Sequence, residues 1–122
     1  MAFINDEVFD QGLDWAISNG SRLDIVSTDP GGTYATVTGN TLGNKTSLTV
    51  GATGDGSPDG RKVTIPAITD GSVTGTDTAT HWALTNASNT VIASGALSSS
   101  QAVTSGNTFT LDSIDITIRD AS

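Results

Sequence analysis

His81-Trp82-Ala83-Leu84-Thr85, then Asn86-Ala87-Ser88-Asn89, then Thr90-Val91-Ile92-Ala93-Ser94-Gly95-Ala96-Leu97 is the stretch whose reading decides the fold. Two runs with apolar residues at every second position, joined by a short polar turn, predict a β-hairpin. Trp82 and Leu84 fall on one face of the first strand, and His81, Ala83 and Thr85 fall on the other. Val91-Ile92 places an apolar side chain on both faces, which predicts cover on each side of the sheet. The hairpin holds one of the two tryptophans and the only histidine, so it is the expected centre of the fold.

Outward from the hairpin, the apolar pattern changes phase twice. In Arg61-Lys62-Val63-Thr64-Ile65-Pro66-Ala67-Ile68 it passes from odd to even positions across Pro66. Proline removes a ladder donor and an extra residue shifts parity, so a β-bulge is expected there. A Thr/Gly/Asp-rich connection leads from Ile68 to His81. Beyond Leu97 come Ser98-Ser99-Ser100, Ala102-Val103 and a turn at Ser105-Gly106-Asn107. In the last strand Phe109 and Leu111 are odd whereas Ile114, Ile116 and Ile118 are even, with Asp112-Ser113 between them. A second bulge or bend is expected at that point.

Before Arg61, Asn5 to Asn19 predict the one helix. Asn5 or Asp6 caps it, and Phe9, Leu13, Ala16 and Ile17 form an apolar stripe bordered by Val8, Gly12 and Trp15. Asn19-Gly20 ends it. Glu7, Asp10 and Asp14 share the opposite face, either as a solvated surface or as a patch for a basic partner. Strands are expected at Arg22–Ser27, with Leu23 and Ile25 inward, at Tyr34–Thr38 and at Thr46–Val50. Asp29-Pro30-Gly31-Gly32 forms a turn. Gly39–Lys45 and Gly51–Gly60 are expected to be loops. The sum is about eight strands after one helix, the pattern of an all-β antiparallel β-sandwich or small barrel. We read residues 1–122 as a single domain with a helical segment over 1–20.

Composition narrows the function classes. The chain has 122 residues, no cysteine, a net charge of -8 and a pI of about 4.1. Disulfides and thiol chemistry are therefore excluded, and five basic residues hardly supply a nucleic-acid surface. Charged residues make up only 15%, which leaves a hydroxyl-rich surface suited to an extracellular or particle-borne protein. No apolar run approaches the length of a membrane span, and the start lacks the pattern of a signal peptide. No membrane or nucleic-acid partner is expected.

Candidate chemistry is sparse. His81 has no Gly-x-Ser-x-Gly elbow to serve, and a strand histidine that packs or bonds locally is the simpler reading. No enzyme activity and no cofactor are expected. Asp55-Gly56-Ser57-Pro58-Asp59-Gly60 places oxygens at alternate positions like the first half of a calcium loop, which makes Asp55, Ser57 and Asp59 a weak metal candidate. Pro66 stands where that loop needs its bidentate glutamate, and Arg61 and Lys62 repel a cation, so a β-turn is preferred. For sugar binding, Trp15, Trp82, Phe9 and Phe109 are assigned to the core and Tyr34 alone is left over.

Leu42-Gly43-Asn44-Lys45-Thr46, Pro58-Asp59-Gly60-Arg61-Lys62-Val63, Asp70-Gly71-Ser72-Val73, His81-Trp82-Ala83-Leu84-Thr85 and Ser105-Gly106-Asn107-Thr108-Phe109-Thr110-Leu111 carry a resemblance. With Gly95-Ala96-Leu97 they resemble small virion structural proteins of tailed bacteriophages and prophages, over most of the chain after Gly39. The resemblance implies a virion component without a catalytic motif. The expectation is a non-enzymatic capsid decoration (cement) protein, assembled in the host cytoplasm and bound to the major capsid protein as an oligomer such as a trimer. The helix at Asp6–Ser18 and the Gly39–Gly60 loop are the expected contact elements, with Glu7, Asp10, Asp14, Asn44, Lys45, Arg61 and Lys62 as partner contacts. Two alternatives are a tail, collar or fibre component that binds a host surface or glycan, and a polysaccharide-acting enzyme or lectin of the virion.

Overall fold

A computed structural model describes residues 6–56 and 60–118, with side chains from Asp10 onward. The expected fold class is shown: an antiparallel sheet of six strands curls on itself, and a small three-stranded sheet lies against it. The elements run α1 (Asp6–Asn19), β1 (Arg22–Val26), α2 (Tyr34–Asn40), β2 (Thr41–Lys45), β3 (Gly54–Asp55), β4 (Arg61–Ile65), β5 (Ile68–Val73), β6 (Asp77–Thr85), β7 (Val91–Val103), β8 (Thr108–Leu111) and β9 (Ile114–Ile118). The large sheet has the order β7-β6-β1-β2-β5-β8 and the small one β3-β4-β9.

The hairpin forms as read, with Trp82 opposite Gly95 and Leu84 opposite Ala93. Trp82 and Leu84 enter the main core with Leu23, Ile25, Val63, Ile65, Val73 and Phe109, so one apolar cluster joins both sheets. On the reverse face Ala83 meets Val26 and Val37, with Val91 packed beside them, and Ile92 packs on the main core. The double cover expected at Val91-Ile92 is thus present, and α2 supplies it on one side.

The phase change at Pro66 has a different cause from the expected bulge, and at Asp112-Ser113 it is the bend, not a bulge, that is present. At Pro66-Ala67 the chain leaves the small sheet at Ile65 and joins the large one at Ile68. At Asp112-Ser113 it returns, from Leu111 to Ile114. The two crossings are aligned, because Ile65 pairs with Ile114 and Ile68 with Leu111. A single two-stranded ribbon therefore turns the corner between sheets, and each sheet selects its own apolar parity. Pro66, with no N–H to lose, sits at the turn.

Four other expectations are corrected. Tyr34–Thr38 is helical, because Thr33 accepts from the amides of Thr36 and Val37 and the helix lays Val37 onto Val26 and Ala83. This packing overrides the β preference of Tyr, Thr and Val. The strand expected at Thr46–Val50 is one segment earlier, over Thr41–Lys45, and Ser47 takes a positive φ of 55° just after it. Gly43, read as loop punctuation, is a strand residue in close packing: a β-carbon there would strike the Ser72 carbonyl and crowd Phe109. The Thr/Gly/Asp-rich connection contains β5 and the start of β6, and β7 runs unbroken through Ser98–Ser100 to Val103.

Candidate functional site

Where β7 runs past Ala96, its pairing with β6 breaks. Ala79 pairs with Gln101 and His81 with Ala96, so Leu97, Ser98, Ser99 and Ser100 all stand opposite Thr80. This wide bulge draws β7 outward, as bulges at barrel rims do. β7 and β8 are the two edges of the large sheet, and the curl brings them face to face without a ladder between them. The unclosed seam is a cleft of about 460 Å³, with Trp82, Leu97, Leu111 and Ile114 contributing apolar surface. Ser98, Ser99, Gln101, Thr110, Asp112 and Ser113 supply the polar lining. One side chain spans it: the Gln101 Nε2 group donates to the Thr110 carbonyl at 3.0 Å.

This cleft escaped the sequence reading, although both of its walls left a signal. Ser98-Ser99-Ser100 interrupts the alternation between Leu97 and Ala102, and Asp112-Ser113 interrupts it between Leu111 and Ile114. Read separately they look like punctuation. Only the sheet order places them together.

The residues proposed from sequence as contacts are distributed differently. Asp10 is half-buried and holds Arg61 by its Nε at 2.9 Å, and Arg61 Nη1 reaches Asp55 Oδ1 at 2.6 Å. Both carboxylates raise the pKa of Arg61, with the hydrogen bond it donates to Asp10 the largest cause. Lys62 donates to Asp115 at 3.1 Å and Lys45 to Asp70 at 2.9 Å. Hydrogen bonds from Thr64 and then Lys62 lower the pKa of Asp115. Arg61, Lys62 and Lys45 each pair with a carboxylate of the chain itself. Asn44 and Lys45 lie in β2, inside the sheet and not in a loop, while Asp14 is exposed on α1. The side chain of Glu7 lies outside the described residues.

The calcium-like motif resolves in part. Gly54 and Asp55 form β3 against Lys62 and Arg61, and the Gly56 amide donates to the Gly60 carbonyl at 2.9 Å. Gly60 takes a φ of 80°, which its missing side chain permits. Asp55 is thus a hairpin residue committed to Arg61; Ser57 and Asp59 lie outside the described residues. His81 Nδ1 lies 2.8 Å from Thr80 Oγ1, the local bond expected of a strand histidine.

Trp15 corrects the sequence reading most sharply. Assigned to the core, it is 53% exposed, whereas Leu13 and Ala16 on the same helix are buried. Ile118 is also exposed, and its Cδ1 lies 3.8 Å from where a Gly12 β-carbon would stand. Gly12 and Trp15 are one helical turn apart on α1, and Ile118 of β9 lies beside Gly12. Phe9, the other helical aromatic, has its side chain outside the described residues.

Among the described residues no helix is long and apolar enough to cross a membrane, and no group of His, Cys, Asp or Glu is arranged to hold a metal. Comparison with known proteins finds no matching family model, no matching curated protein and no matching solved structure.

Proposed function

We propose that this chain is a non-enzymatic structural protein of a tailed-phage virion, most specifically a decoration protein that binds the major capsid protein and stabilises the head lattice. The observation that carries the binding role is Trp15, 53% exposed on a helix that buries Leu13 and Ala16. Tryptophan is enriched at interface hot spots, and one held largely in solvent on the helix that carries Asp10 of the Asp10–Arg61 ion pair has the make-up of such a contact. The phage-like segments after Gly39 supply the particle context, and the hydroxyl-rich surface suits it.

Counting copies of the chain in purified particles by quantitative mass spectrometry tests the reading. A copy number on the scale of the capsid lattice supports decoration. A number on the scale of a tail tube or fibre supports the tail, collar or fibre alternative instead, and absence from particles overturns both. Trp15→Ala protein, added to undecorated heads, is expected to lose binding while keeping its fold.

A further inference from the structure

We propose that the seam between β7 and β8 receives an extended peptide segment of another protein, which enters as a strand between the two edges and carries a basic residue opposite Asp112. The proposal is independent of the particle reading.

Each of the two strands is paired on one side only, β7 with β6 and β8 with β5. Such edges present rows of unpaired N–H and C=O groups, the template for strand addition. The Thr110 carbonyl demonstrably faces the cleft, because Gln101 Nε2 donates to it at 3.0 Å. A primary amide is the side-chain counterpart of a peptide N–H, so Gln101 occupies the place that an incoming strand's backbone would take. In an antiparallel strand the N–H and C=O of one residue point the same way, which turns the Thr110 N–H into the seam as well. The four residues of β8 offer about 13 Å of edge at the rise of a strand.

The bulge at Leu97–Ser100 forms the β7 wall of the cleft. Its exposed Ser98 and Ser99 line the cleft without filling it. Charge selects the occupant. Asp112 is exposed at the rim, and none of the ion pairs among the described residues involves it. The chain carries a net charge of -8, so a cationic segment is drawn to the seam and a second copy of this chain is repelled.

The test is titration of the ¹⁵N-labelled protein with a synthetic heptapeptide of alternating threonine and valine around a central lysine. Shift changes are expected at Leu97–Gln101 and Thr108–Ile114. The same peptide with alternate amides N-methylated is expected to bind about tenfold more weakly, the loss of one or two strand hydrogen bonds. Asp112→Asn is expected to weaken the lysine peptide several-fold and to leave a norvaline version unchanged. The proposal is overturned if the N-methylated peptide binds equally well, if no seam amide shifts at millimolar peptide, or if the shifts lie elsewhere. It is also overturned if soluble oligosaccharides rather than peptides move the seam amides, or if the protein alone dimerises with those amides protected.

Discussion

Gly71 sits so close beneath Phe109 that a β-carbon at position 71 would fall within the space of the aromatic ring. The two are cross-strand partners in β5 and β8, and Phe109 is 2% exposed. Gly71→Ala must therefore displace the ring from the core. Overpacking of this kind costs about 1–3 kcal/mol, and the urea midpoint is expected to fall accordingly with little change in slope. Gly43→Ala, which meets the Ser72 carbonyl and the same ring, is expected to behave alike. An unchanged midpoint in both variants would show that the ring does not rest on these glycines.

Asp24 is 2% exposed and takes three hydrogen bonds, two from Arg22 and one from Thr41 at 2.6 Å. The carboxylate is the first cause of the raised pKa of Arg22. Asp24→Ala strips both partners at once and is expected to destabilise by about 3 kcal/mol. Thr41→Val removes one neutral donor from the set and is expected to cost about 1–2 kcal/mol. A double-mutant cycle of Arg22 and Asp24 measures the coupling directly.

The hairpin turn invites a stabilising change. Ala87 adopts a φ of 65°, while Asn86 Oδ1 accepts from the amides of Ser88, Asn89 and Thr90. Ala87→Gly relieves the left-handed strain and is expected to gain about 0.5–1 kcal/mol. Asn86→Ala removes the acceptor that organises the loop and is expected to lose about 1–2 kcal/mol. Thermal unfolding of the two variants should move in opposite directions.

Stability should carry a signature of Asp115 in acid. Its folded pKa lies below the ordinary 3.8, so its bonds to Thr64 and Lys62 stabilise the fold in full above that ordinary value. The contribution fades as pH falls through the lowered folded value, where both states are protonated. The stability gap between the protein and Asp115→Asn is therefore expected to be constant near neutrality and to close in strong acid. A gap that persists unchanged at the lowest pH would contradict the assignment.

Trp15→Ala and Trp82→Ala separate surface from core. Trp82 is 9% exposed and packs in the main cluster, so its truncation is expected to cost about 3–5 kcal/mol. Trp15→Ala should stay within about 1 kcal/mol, since the side chain is largely solvated.

The hairpin and β1 were legible because alternation is a local property, and Trp82, Leu84, Leu23 and Ile25 all took their expected face. The phase changes at Pro66 and Asp112-Ser113 were visible as events but not as a change of sheet, since one strand's pattern does not name its partner. Val37 shows a second limit: Tyr34–Thr38 alternates like a strand, and only the exposed backs of Val26 and Ala83 make a helix the better cover. Trp15 was misplaced because a border position on a helix is settled by how far the neighbouring sheet extends. The seam was invisible because the meeting of its two walls, bridged by Gln101 and Thr110, depends on how far six strands curl.

The corner-turning ribbon also bears on how the chain reaches this state. Lys62 and Asp115 meet across 53 positions of sequence, and the neighbouring pairs on either side of the corner are nearly as remote. Closing that interval must precede most of its reward, so the ribbon is a late and slow step, and folding in the millisecond-to-second range typical of non-local β topologies follows. The hairpin of β6 and β7 closes over a few residues and can form within microseconds. The hairpin can therefore form before the ribbon closes, with the edge of β7 bare in that interval. The window in which an extended segment can be captured opens during folding itself.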